Sequence, residues 1–161
     1  MITIFEFQAH KIERIAAALA HFVATTPPER LDWCPATDAN SHTRSILAMV
    51  VECVQINRYT AALLRGETPE APPAEGAIPA DLSTAEGAQQ QLLASGHELA
   101  TAVAALDETA LTHLYPHWRG PIVGAVLIES PYRNMAYHAG QVNLIQLLAG
   151  DTEFHLPPTW L

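Results

Sequence analysis

The chain has 161 residues, 49% of them apolar, with 8 Lys and Arg against 17 Asp and Glu for a formal net charge of −9, and 8 histidines. That is the length of one domain, spanning 1–161, with apolar material for one core. An acidic chain with no basic cluster cannot neutralise many phosphates, which excludes ordinary nucleic-acid binding. The apolar runs Ile46 to Val51 and Ile122 to Ile128 stop at Glu52 and Glu129, short of the roughly 20 residues of a spanning helix, so no membrane partner is expected. The first ten residues have no basic region and are broken by Glu6, so they do not read as a signal peptide. Cys34 and Cys53 would make a meagre disulfide framework, and reduced thiols in a cytoplasmic protein are expected instead.

Four segments carry helical periodicity, and no strand pattern competes with them. In the first, Phe5, Ile12, Ile15, Leu19 and Phe22 line one face until the Thr-Thr-Pro-Pro run at 25–28. The second is predicted over about Thr43 to Arg65, with Ile46, Met49, Val50, Cys53, Ile56 and Leu64 inward and Gly66 as its stop. Four prolines between 67 and 80 leave an extended connection, long enough for the next helix to run parallel to the last. Ser83-Thr84-Ala85-Glu86 reads as a capping box with Ser83 as the cap, opening a third helix that carries Leu92, Leu99, Val103 and Leu106 to Asp107.

The fourth pattern runs from Ile122 through Val126, Met135, Val142 and Ile145 to Leu148, closed by Gly150. Pro131 lies inside it. Either one helix continues with a kink, or Ser130 caps a fresh helix with Pro131 at its first position. The apolar face resumes in register on both sides, which favours one kinked helix. Four amphipathic helices, none able to bury its stripe alone, make an all-α four-helix bundle.

Asn134, His138, Gln141, Val142 and Ile145 fall on one face of that last helix, so His138 points where core residues point. A buried imidazole must hydrogen-bond or ligate something. Four short motifs accompany it: Trp33-Cys34-Pro35 after helix one, Ser45-Ile46-Leu47-Ala48-Met49 opening helix two, Asn134-x-x-x-His138-Ala139-Gly140-Gln141 in helix four, and Leu148-Ala149-Gly150-Asp151 at its end. In order, spacing and helix count the chain resembles the DinB/YfiT-like bundles over nearly its whole length.

That resemblance implies a bundle with long crossover connections, a homodimer, and a divalent cation, nickel or zinc, held by three histidines. Related enzymes use such a metal to activate a low-molecular-weight thiol in isomerisation or S-transfer. Two histidines four apart on one helix plus a third from a facing helix give three nitrogens and leave coordination positions open. Carried onto this chain, the helix-two ligand falls on Met49, the first fourth-helix ligand on Asn134, and the last on His138. A neutral amide oxygen is a poor ligand for nickel or zinc, and a thioether prefers soft ions. The resemblance therefore implies a degenerate metal site with no cofactor, in a protein that binds a small molecule or acts as a non-catalytic homodimer. The alternative is a metal-dependent thiol S-transferase or isomerase using His138 with substituted ligands.

Glu52, one turn after Met49, is the candidate substitute ligand, against an ordinary place on a solvated helix edge. For His138 the plain reading is a satisfied buried histidine that bonds Asn134 or a facing group. Gln141 and Tyr137 are candidates to line the same pocket, with packing or surface placement as the default. Cys53 reads as an inert buried thiol, and Cys34 as a loop thiol without an activating neighbour. His113 and His117, with Trp118 and Arg119, flank a site mouth or are plain loop residues. His42 belongs to the loop before helix two. His10, His21, His97 and His155 are scattered singly.

Overall fold

The computed structural model describes residues 2–36, 43–73 and 77–160. Helix α1 (Ile4–Thr25) opens on a capping box: Thr3 Oγ1 accepts from the Glu6 amide at 3.1 Å, and Glu6 Oε2 accepts from the Thr3 amide at 2.7 Å. Helix α2 (Ile46–Leu64) is capped by Ser45, whose hydroxyl accepts from the Ala48 amide. It is three residues shorter at its start than expected, because Ser45 takes extended backbone as the cap. The Leu47 amide donates to the Leu31 carbonyl and ties the start of α2 to the segment after α1.

Helix α3 (Ala85–Ala104) corrects the predicted cap by one residue. Thr84 is the cap and accepts from the Gly87 amide, while Ser83 ends the preceding 3-10 turn and donates to the Ala80 carbonyl. The helix stops at Ala104, short of Asp107, which caps a further 3-10 turn over Glu108–Leu111.

Helix α4 (Gly124–Leu148) is continuous through Pro131. Ser130 does not cap a fresh helix; its hydroxyl bonds back to the Val126 carbonyl at 2.9 Å. The first two residues assigned to this helix from periodicity are instead a strand. β1 (Leu114–Tyr115) pairs antiparallel with β2 (Ile122–Val123), so a strand exists where none was expected. Two-residue strands are too short for alternation to show. Gly66 and Gly150 close α2 and α4 as expected, with φ of 81° and 89°. In each case the glycine and the following residue donate back into the last turn.

Helix α1 packs on α3 and α4, and α2 packs on the same two, so α1/α2 and α3/α4 are diagonal pairs. Cross-helix bonds give the directions. Arg58 meets Gln91 and Arg65 meets Glu98, so α2 and α3 are parallel, as the long proline-rich connection allows. Gln8 meets Glu129 and Phe22 meets Gln146, so α1 and α4 are parallel too. The core runs along the shared axis through Ile12, Leu19, Ile46, Leu92, Leu99 and Met135, all fully buried. Each such side chain contributes about 1.5–3 kcal/mol relative to exposure.

By length and hydropathy α2 reaches the threshold for crossing a membrane, the one described helix that does; 67% of that window is buried inside the bundle.

Candidate functional site

Of the residues named from sequence, Glu52, Cys53, Asn134, His138 and Gln141 come together where the first half of α2 faces the middle of α4. Helical spacing on α2 puts Met49, Glu52 and Cys53 on the side toward α4, and spacing on α4 puts Asn134, His138 and Gln141 opposite. His138 is buried, with 5% of its surface exposed. Its Nδ1 lies 2.6 Å from Gln141 Oε1, which accepts, so the hydrogen-bond network places the ring proton on Nδ1. Nε2, left with its lone pair, is buried without a hydrogen-bond partner and lies 3.5 Å from Glu52 Oε1.

Glu52 is part-buried rather than on a freely solvated edge. Its Oε1 accepts from Asn134 Nδ2 at 3.0 Å, and its other oxygen pairs with the Arg44 guanidinium. The Cys53 thiol donates to Asn134 Oδ1 at 3.3 Å. A chain of polar contacts therefore runs Cys53, Asn134, Glu52, Arg44 across the two helices. Burial holds the Cys53 thiol well above its ordinary pKa, which keeps it a neutral donor. Burial also pushes His138 below the ordinary histidine value, with the Arg44 charge adding to it and the Gln141 hydrogen bond opposing.

These residues do not fit a cation held by three histidines. Met49 is buried and offers a thioether. The Asn134 amide is committed at both ends, and the Arg44 cation stands on the carboxylate that would have to serve as ligand. Among the described residues no group of three or more His, Cys, Asp or Glu side chains is placed to hold a metal.

On the solvent side of Glu52 lies a cleft of about 1110 Å³ between the start of α2, the proline-rich connection and the turn after β1. Arg44, Glu52 and Gln55 form its α2 wall, and Trp118 and Arg119 face them. Tyr59 fixes that turn: its hydroxyl accepts from the Trp118 amide at 3.2 Å, and its ring meets the Trp118 ring edge-on. His117 stacks on Trp118, and burial holds His117 below the ordinary histidine pKa. Trp118 and Arg119 thus stand at a cleft mouth, whereas His113 packs edge-on against Tyr115 and does not line it. Cys34 lines the cleft with its thiol bonded to Ala36 and Thr43.

The other assignments divide. Gln141 contacts His138 directly, and the ring of Tyr137, though 67% exposed, meets His138 edge-on with centroids 5.6 Å apart; neither residue lines the cleft above Glu52. His97 of α3 pairs with Glu13 of α1 on the exposed side of the bundle, and His155 pairs with Asp151 in the segment after α4. His42 lies outside the described residues. Sequence reasoning missed Arg44, which sits one residue before the α2 cap. Its place beside Glu52 follows the helical return from cap to second turn, a signal available only once Ser45 is known to be the cap.

No protein-family model matches this chain, and no curated protein matches it. Among solved structures it is similar to a conserved protein from Enterococcus faecalis, at 13% identity and a TM-score of 0.70, over 93% of this chain and 99% of that one. The likeness is one of fold.

Proposed function

We propose that this chain is a DinB-like bundle whose metal site has given way to a metal-free polar network, and that it works as a small-molecule-binding homodimer rather than as a metalloenzyme. The observation that supports this most directly is the Arg44–Glu52–Asn134–Cys53 network, which satisfies with hydrogen bonds and an ion pair the groups a cation would otherwise have to recruit. The ligand is a small polar molecule in the cleft above Glu52, where Arg44, Arg119 and the Trp118 ring offer charge and a flat apolar face. Exposed Leu144, Leu147 and Leu148 at the end of α4 support pairing with a second copy.

Elemental analysis of untagged protein purified without chelator tests the metal-free reading. Nickel and zinc far below one per chain are expected. Stoichiometric metal that disappears in His138→Ala overturns it in favour of the second reading, a thiol-transferase or isomerase with His138 and Glu52 as ligands. The observation that favours that alternative is the unpartnered His138 Nε2 facing Glu52. Sedimentation at several concentrations tests the dimer, with a single monomeric species counting against it.

A further inference from the structure

The opposite face of the bundle carries a second cavity, a groove of about 860 Å³ between α1, α4 and the segment after α4. That volume lies within the range of small-molecule sites, roughly 300–1,000 Å³. Its floor is apolar, made by Ile15 and Phe22 of α1 and by Ala136, Ala139 and Gly140 of α4. Phe7 and Tyr132 wall one side, and Phe154 and Trp160 lean over the other. Trp160 is held there edge-on against Phe22, with ring centroids 6.1 Å apart.

Charge is distributed unevenly around this groove. The chain carries 17 carboxylates against 8 Lys and Arg, yet the described residues that line the groove include Lys11, Arg14 and His10 and no carboxylate. The three fall together because positions 7, 10, 11 and 14 share one helical face. Lys11 lies 4.1 Å from the Tyr132 ring centroid and 3.4 Å from Glu129, which stands just outside the groove. Both members of that pair are about a third exposed, so a competing anion can exchange into it at small cost. An apolar trough with a cationic edge on an otherwise acidic protein is complementary to an anion with an apolar tail.

We infer that this groove binds a free single-chain amphipathic carboxylate, the tail lying on Ala136, Ala139 and Gly140 beneath Phe154 and Trp160, and the carboxylate at Lys11 and Arg14. Gly140 provides the handle. A Cβ added there meets nothing within 4 Å, so a larger side chain enters the groove without disturbing α4. The inference is independent of the cleft above Glu52, which lies on another face and shares none of these residues.

Laurate below its micellar concentration is the probe, titrated by calorimetry and by tryptophan fluorescence, with dodecanol as the uncharged match. Saturation at one laurate per chain is expected, with at least tenfold weaker binding of dodecanol. Gly140→Leu, checked by circular dichroism for retained helix, abolishes saturation by filling the trough. Lys11→Gln with Arg14→Gln weakens laurate at least tenfold and leaves dodecanol unchanged. The inference is overturned if laurate does not saturate, if Gly140→Leu binds it as wild type does, or if the two charge substitutions have no effect. It is equally overturned if the face engages anionic phosphatidylglycerol vesicles without taking up laurate, or if Gly140→Leu turns a dimer into monomers while laurate never binds. Those last outcomes assign the groove to a membrane surface or to a second copy.

Discussion

His138 Nε2 and Glu52 Oε1 stand 3.5 Å apart without a hydrogen bond between them, the imidazole proton being on the far side of the ring, toward Gln141. The pair is held in that state from both ends. Burial and Arg44 keep His138 from taking a second proton, and Asn134 and Arg44 keep Glu52 supplied with donors.

Acid should therefore destabilise the fold through His138. Its pKa is lower folded than unfolded, so over the interval between the two values the unfolded chain binds more protons, and stability falls as pH drops below the ordinary histidine value near 6.5. Urea denaturation at pH 7.5 and 5.5 should show a smaller acid loss for His138→Gln than for wild type. An equal loss in both would mean that other histidines carry the whole dependence.

Restoring the two histidines that the resemblance expects gives a gain-of-function test. Met49→His with Asn134→His, made together with Arg44→Ala to relieve the competing cation, should bind nickel in calorimetry with a 1:1 stoichiometry, whereas wild type should not. Absence of binding in a folded triple variant would show that α2 and α4 do not bring positions 49, 134 and 138 to one point.

The α1/α3 seam depends on Gly96. A Cβ at this position would stand 2.6 Å from the Ala16 Cβ, so the helices must separate to admit even a methyl group. Helix propensity alone would make Gly96→Ala stabilising by up to about 1 kcal/mol. Overpacking should prevail, with a net loss of about 1–2 kcal/mol measured as a shift in urea midpoint at constant slope.

Gln146 pins the ends of α1 and α4 together. Fully buried, it donates from Nε2 to the Phe22 carbonyl and the hydroxyls of Thr25 and Thr26, at 3.0 to 3.1 Å. Gln146→Ala removes these bonds and opens a cavity, at an expected cost of about 2–4 kcal/mol in equilibrium unfolding. A loss below about 0.5 kcal/mol would mean that water replaces the side chain freely.

The helices were legible because burying a face leaves a period in the sequence. Ile12, Ile15 and Leu19 announce α1, Leu92, Leu99 and Val103 announce α3, and Gly66 and Gly150 mark two ends through a backbone conformation that other residues resist. Even the missed capping box at the start of α1 was written in Thr3-Ile4-Phe5-Glu6. The β1/β2 pair was not legible, since two residues have no period. The choice of Thr84 over Ser83 as a cap was not either, since it depends on the 3-10 turn that claims Ser83.

The sequence by itself determined four helices, most of their inward faces, with Val126 exposed and Ile56 at the cleft edge as exceptions, and a single histidine on the inward face of the last one. Tertiary structure alone decided what that histidine meets. Contacts of Glu52 with Asn134, of Cys53 with Asn134 and of His138 with the Glu52 carboxylate cross between helices some 80 residues apart in the chain. Helical periodicity specifies the direction in which each side chain points, but which facing residue it meets depends on how two helices slide along one another, and that is set by the packing of the whole core.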